Sequence, residues 1–183
     1  MRIISGKARG TKLYTLEGEL TRPTLDRVKE SLFNIIQEKV LGSVFLDLFA
    51  GSGAIGLEAA SRGAKKVILC EKENKANVII NKNIEKTHLE ETVELYNTTY
   101  EKLLDNLKGK VDIVYIDPPY KTNYAYNATK MLLDKKCLNK QALLIIETDE
   151  EERILNEIEE LKIKIIDKRK YGRVHLIFIQ EIR

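Results

Sequence analysis

The chain has no tryptophan, two cysteines, two histidines and three prolines in 183 residues. Cys70 and Cys137 form no close pair, so neither a disulfide framework nor a cysteine-rich metal site is expected. With only His88 and His175, a histidine-rich metal centre is not expected either. No apolar run approaches the roughly 20 residues of a membrane helix. Met1 to Lys7 lacks the apolar stretch of a signal peptide, and the expected compartment is a reducing cytoplasm. Charge of one sign is also scarce: 31 Lys and Arg against 28 Asp and Glu leave a net +3. That excludes a polycationic tail but not a local basic face, because a binding field depends on where the charges sit.

What remains is ordinary globular material, 43% hydrophobic and 32% charged, of a length suited to one domain. From Val44 onward, apolar runs alternate with helical stretches. The runs are 44–48, 66–71, 93–96, 111–116 and 142–147, and the helical segments are 54–61, 74–86, 100–107 and 124–134. Strands apolar on both faces suit a parallel sheet covered by helices on each side. The pattern predicts a doubly wound α/β sheet.

The two ends depart from this rhythm. Ile154, Leu155, Ile158 and Leu161 share one helical face, and residues 162–170 and 173–181 read as an antiparallel hairpin around Tyr171-Gly172. Near the start, 2–5 and 11–14 form a small hairpin through Gly6 and Gly10. Thr24 is then the expected N-cap of an amphipathic helix bearing Leu25, Val28, Leu32, Ile35 and Ile36. Charge is concentrated locally. Residues 1–12 hold Arg2, Lys7, Arg9 and Lys12 with no acid, 149–160 hold seven acids and one base, and 162–173 hold six bases and one acid.

The first chemical signal is Asp47-Leu48-Phe49-Ala50-Gly51-Ser52-Gly53-Ala54-Ile55-Gly56, where a strand passes into a helix. Its glycines allow close approach of a ligand to the backbone. Glu71 follows Gly51 by 20 residues at the end of the next strand, placed to accept hydrogen bonds from two ribose hydroxyls. Together they indicate an adenosine-type ligand across the carboxyl ends of the first two strands. Asp47 at the head of the loop favours S-adenosylmethionine over a nicotinamide dinucleotide. A carboxylate there suits the ammonium of a methionine tail and repels a pyrophosphate.

The second signal is Asp117-Pro118-Pro119-Tyr120 at the end of the fourth strand, on the same sheet edge. Two prolines fix φ and bias the preceding residues towards extended geometry, giving a stiff ledge. Such a ledge suits a planar base with an exocyclic amine. The Asp117 carboxylate and Pro118 carbonyl accept the two amine hydrogens, and Tyr120 stacks on the ring. Those hydrogen bonds turn the amine lone pair towards a sulfonium methyl, and no covalent intermediate is needed.

With both motifs in place, the sequence resembles the nucleic-acid amino-methyltransferases of class I fold. Residues 4–13, ISGKARGTKL, and 22–34, RPTLDRVKESLFN, resemble the N-terminal signature of the RsmD family. That family methylates the N2 amine of a guanine in bacterial 16S ribosomal RNA. The resemblance implies a Rossmann-like, mostly parallel seven-stranded sheet with an antiparallel last strand. It implies an N-terminal hairpin and helix extension over 1–40, packed on the same domain and facing substrate, and a methyltransferase domain over 41–183. S-adenosylmethionine is the implied donor, held by Asp47, Phe49, Ala50, Gly51, Ser52, Gly53, Glu71, Lys72, Thr98 and Thr99. Asp117 through Tyr120 hold the target base. Thr99 stands where the family often carries Asp or Asn near the adenine amine, offering a hydroxyl without a charge.

Lys7, Arg9, Lys12, Arg22 and Arg27 are the expected RNA contacts, to phosphates rather than base edges. The implied partner is 16S ribosomal RNA in an assembled or assembling small subunit, met by a monomer without metal or membrane. Lys168 to Arg173 serve either as a second contact or to neutralise the acidic stretch before them. The four asparagines 74, 77, 81 and 83 read as a solvated helix face, and both cysteines as structural. Alternative readings are a DNA adenine-N6 methyltransferase, which the lack of a target-recognition domain disfavours, and a non-catalytic RNA-binding or assembly factor. A nicotinamide oxidoreductase leaves Asp117–Tyr120 unexplained.

Overall fold

A computed structural model describes residues 1–16, 23–119 and 121–182, the side chains at 23–25 excepted. Arg22 and Tyr120 lie outside the described residues.

Helix α1 (Pro23–Val40) precedes the alternating region. The order is then β1 (Val44–Asp47), α2 (Ala54–Ser61), β2 (Lys66–Glu71), α3 (Asn74–Thr87), β3 (Val93–Asn97), α4 (Tyr100–Asn106), β4 (Val111–Ile116), α5 (Tyr124–Asp134), β5 (Leu138–Thr148), α6 (Glu151–Ile158), β6 (Ile163–Tyr171) and β7 (Val174–Glu181). The strands form one sheet in the order β3-β2-β1-β4-β5-β7-β6. Strands β1 to β5 pair in parallel, and β7 runs antiparallel to both β5 and β6. The order reverses between β1 and β4, so the turns leaving those strands open a crevice at their carboxyl ends. One core layer lies between the sheet and α1, α2 and α3, and the other between the sheet and α4, α5 and α6. Among the described residues, no helix is long and apolar enough to cross a membrane.

Three expectations about the elements are corrected. Helix α1 begins at Pro23, so Thr24 lies inside its first turn rather than capping it. Proline suits that position because its missing N–H is one that a helix start leaves unpaired anyway. Ile35 stays exposed at the flank of the α1 stripe, while Val28, Leu32 and Ile36 are buried as read. Strand β5 starts at Leu138, four residues before the apolar run. The polar Asn139-Lys140-Gln141 conceals this start, and Gln141 adopts φ 65° beside a register shift in the β4–β5 ladder.

The N-terminal hairpin forms with a single antiparallel bridge, Arg2 to Lys12. It is fastened to α2 rather than projecting. The two carboxylate oxygens of Glu58 accept the backbone N–H groups of Ile4 at 2.8 Å and Ser5 at 3.0 Å. The Ser61 hydroxyl donates to the Ser5 carbonyl and accepts from Ala8 N–H, and its own carbonyl accepts from Lys7 N–H. This contact is so close that a Cβ on Gly6 (φ 86°) would stand 1.8 Å from the Ser61 carbonyl oxygen. Lys29 of α1 meets Glu58 at 3.3 Å, and Arg62 lies over the Phe33 ring at 5.0 Å. Equal steps along the two helices show that α1 and α2 run side by side in the same direction.

Candidate active site

The loop between β1 and α2 folds back on the sheet through its own amides. Leu48 N–H donates to the Tyr115 carbonyl at 3.1 Å, Ala50 N–H to the Cys70 carbonyl at 2.9 Å, and Gly53 N–H to the Ala50 carbonyl at 2.7 Å. Gly53, at φ 81°, is the N-cap of α2. Gly56 lets α2 lie directly on the sheet, since a Cβ there would fall 2.2 Å from Leu69 Cδ2.

Glu71 is not left hanging at its strand end. One carboxylate oxygen accepts from Gly51 N–H and the other from Glu73 N–H, each at 2.9 Å. The carboxylate therefore fixes the glycine loop to the β2 turn, and each oxygen keeps further acceptor capacity for a ligand.

These turns, with those after β3 and β4, enclose a cavity of about 490 Å³. Phe49 and Gly51 line it from the first turn, Glu71 and Lys72 from the second, Thr98 to Glu101 from the third and Asp117 to Pro119 from the fourth, with Tyr124 at the start of α5. Of the ten expected cofactor residues, the cavity thus brings together Phe49, Gly51, Glu71, Lys72, Thr98 and Thr99. Asp47, Ala50, Ser52 and Gly53 lie in the supporting turn, outside its lining. Asp117 and Pro119 are exposed at its rim and Pro118 is half-buried. The Pro119 carbonyl accepts from the Thr122 hydroxyl at 2.8 Å, and Arg153 donates to the Thr122 carbonyl at 3.2 Å, bracing the ledge from behind. The Thr99 hydroxyl caps α4 by accepting from Lys102 N–H at 3.5 Å.

Sequence reasoning missed the aromatic wall of this cavity. Phe49, Tyr100 and Tyr124 come from three turns, with ring centroids 5.3, 5.4 and 6.1 Å apart and Phe49 parallel to Tyr124 within 4°. It also missed Tyr115, whose hydroxyl donates to Glu147 at the neighbouring end of β5. No local pattern announces either group, because each forms only when separate strand ends converge.

The asparagine face on α3 is a correction. Asn74 and Asn81 are exposed, but Asn77 and Asn83 are buried. Asn77 donates to the carbonyls of Glu71 and Glu73, each at 2.9 Å, holding the β2 turn. At the other end of the chain, Lys168 and His175 both pair with Glu151 at 2.8 Å, so part of the second basic run does neutralise the acidic stretch. Both cysteines are free and buried.

The lining is anionic: Glu71, Glu73, Glu101 and Asp117 stand against Lys72, and the buried Asp47 lies behind the glycine loop. Asp47 is almost wholly buried, and burial, with the charges of Glu71 and Glu147 adding to it, pushes its carboxyl up to about 7. A cation in the cavity relieves that repulsion, whereas a pyrophosphate adds to it. A ligand carrying ammonium and sulfonium charges on an adenosine therefore fits these residues. A carboxyl raised above its unfolded value contributes stability below about 4 that is lost as pH rises to about 7. We expect Asp47→Asn to gain on the parent protein through that window by up to about 1.4 kcal/mol per pH unit, with no further gain above pH 7, in urea unfolding of the ligand-free protein.

Four of the five expected RNA contacts, Lys7, Arg9, Lys12 and Arg27, fall among the described residues. All four are exposed and make no ion pair among the described residues. The Lys7–Arg9 turn sits at the Ser61 end of α2, and Arg27 lies two residues before Lys29, which pairs with Glu58 within that helix. The eight residues of α2 set the Lys7–Arg9 turn about 12 Å from the glycine loop.

The family described as Conserved hypothetical protein 95 matches this chain over residues 1–180. Ribosomal RNA small subunit methyltransferase D of Haemophilus influenzae is 37% identical over 158 residues, covering 85% of this chain and 82% of that protein. Its Escherichia coli K12 namesake is 34% identical over 151 residues, covering 82% and 76%. The solved structure of yhhF from Escherichia coli superposes with a TM-score of 0.83 at 28% identity, covering 99% of this chain and 97% of that one. The matching proteins are methyltransferases, and S-adenosylmethionine is the expected cofactor. With a class I methyltransferase sheet and a cavity of matching chemistry, the chain belongs to the Conserved hypothetical protein 95 family, the RsmD family of methyltransferases.

Proposed function

We propose that this chain methylates the exocyclic N2 amine of a guanine in bacterial 16S ribosomal RNA, presented on a small-subunit particle. The observation that carries the reading is that Asp117-Pro118-Pro119 and the glycine loop with Glu71 line one cavity. Cofactor and target base then meet without a large motion of the chain. Relatives named as small-subunit methyltransferases support ribosomal RNA as the substrate class.

S-adenosylmethionine supplies a methyl group on a positively charged sulfur. The residues do the rest. Glu71 accepts from the donor's ribose hydroxyls, and Asp47 behind the glycine loop answers the charge of its ammonium. Asp117 and the Pro118 carbonyl accept the two amine hydrogens and aim the nitrogen lone pair. As the N–C bond forms and the C–S bond breaks, one amine proton leaves towards Asp117 or water. Orientation and desolvation supply most of the acceleration.

Lys7, Arg9, Lys12, Arg22 and Arg27 contact phosphates. Neutralising Lys7, Arg9 and Lys12 together weakens RNA binding and flattens its dependence on salt by about 2–3 in log–log slope. Cofactor affinity stays unchanged. Binding titrations at several salt concentrations check this, and an unaltered slope removes the hairpin from the RNA face.

The deciding experiment incubates the protein with labelled S-adenosylmethionine and naked 16S RNA, assembled 30S particles or duplex DNA, then identifies the modified nucleoside. N2-methylguanine in ribosomal RNA is expected. N6-methyladenine in DNA, or particle binding without methyl transfer, overturns the reading.

A further inference from the structure

Asn83 lies in the interior of α3 and is 0% exposed. Asparagine is a poor helix-interior residue, so its gain here must come from contacts outside the helix. All of them are accounted for. Its side-chain oxygen accepts from Tyr14 N–H at 2.7 Å. Its amide nitrogen donates to the Tyr14 carbonyl at 3.0 Å and to the Ser52 carbonyl at 2.9 Å. One amide thus grips both backbone groups of Tyr14, as a neighbouring strand would, and a carbonyl of the glycine loop. Lys86, one turn further along α3, lies 4.3 Å from the Tyr14 ring centroid and holds the same residue by its face.

The two partners belong to different jobs. Ser52 sits between Gly51, whose N–H holds Glu71, and Gly53, which caps α2. Tyr14 follows the hairpin that carries Lys7, Arg9 and Lys12. Loosening either side leaves buried donors or acceptors on Asn83 unpaired, which is costly in a dry interior.

We propose that Asn83 is a positioning residue that couples cofactor occupancy of the glycine loop to the order of the N-terminal extension. The inference rests on the reading that the glycine loop binds S-adenosylmethionine. When a ligand stiffens the loop, the Ser52 carbonyl holds Asn83, and Asn83 holds Tyr14. By reciprocity, RNA that steadies the extension tightens the cofactor by the same factor.

The test is amide hydrogen exchange of the full chain, with and without S-adenosylhomocysteine at a hundredfold excess over its Kd. An opening that must release ligand slows by about 100-fold under those conditions, and an independent one does not slow. The expected result is that Gly53 and Tyr14 amides slow together by about 10- to 100-fold. Lys7, whose N–H bonds the Ser61 carbonyl at the far end of α2, stays unchanged. Asn83→Ala removes the acceptor of the Tyr14 amide itself, so the variant is read at Leu13, whose N–H keeps its bond to the Met1 carbonyl: Leu13 slows with ligand in the parent protein and not in Asn83→Ala, while Gly53 slows in both. The proposal is overturned if Gly53 slows and Tyr14 does not in the parent protein, or if Leu13 still slows in Asn83→Ala. If neither Gly53 nor Tyr14 slows, the cofactor reading of the loop falls and the coupling with it. Should Asn83→Ala fail to fold, the comparison in the parent protein decides.

Discussion

Replacing Asp117 by alanine lowers kcat about 10²–10³-fold and leaves S-adenosylhomocysteine affinity within about a factor of two. The split follows from where the residue stands. Asp117 is exposed at the cavity rim directly after β4, while Gly51 and Glu71 line the cavity from the first two turns. Under the proposed function, alanine keeps the proline ledge and removes one of its two acceptors for the amine. The nitrogen then spends less time with its lone pair facing the methyl group, and the loss falls on the chemical step. Asp117→Asn retains an acceptor oxygen without the charge and falls between the two. Single-turnover kinetics with a calorimetric binding titration measures both quantities. Equal loss of turnover and affinity would instead make Asp117 a cofactor ligand.

Replacing Glu58 by alanine costs about 3–5 kcal/mol of stability, read from urea unfolding. Glu58 is 0% exposed and Lys29 is 1% exposed. The carboxylate also receives Arg62 Nε at 2.8 Å and the N–H groups of Ile4 and Ser5. Alanine leaves a buried ammonium without its counter-charge and two backbone donors without acceptors. Burial holds the Lys29 ammonium below its usual value even with Glu58 beside it. In the variant the lysine can escape the penalty by releasing its proton, so the loss shrinks as pH rises. Glu58→Gln keeps an acceptor oxygen for the hairpin and loses less than alanine. A flat pH dependence of the loss would show that hairpin detachment, rather than the stranded charge, dominates.

The alternating pattern made the sheet legible. Helices α2 and α5 and strand β4 begin and end where the apolar and helical periods place them, because parallel strands covered on both faces announce themselves as continuous apolar runs. Glu71 was legible too, since a fixed spacing after Gly51 sets where the second strand ends. What escaped detection depends on long-range covering. Asn83 looks like surface until Tyr14, 69 residues away in sequence, is laid over it. Glu58 is a lone acid in the otherwise small and apolar octet AIGLEAAS, and that isolation is the signal that it pairs with something buried. The Phe49–Tyr100–Tyr124 wall left no such trace, since its members are ordinary aromatics in three separate turns.

The height of α2 has a consequence for what the protein can accept. Under the proposed function the cavity receives the cofactor and one base, but the Lys7–Arg9 turn stands about 12 Å from the glycine loop along that helix. A substrate engaging both must have breadth as well as sequence, with phosphates offered at two heights at once. A loose strand must be ordered on the enzyme to offer both, whereas a folded ribonucleoprotein surface holds its phosphates in place beforehand. Under the proposed function, modification then becomes a matter of timing. On that reading, the target base would be methylated once assembly has built the surface on which the far end of the enzyme rests.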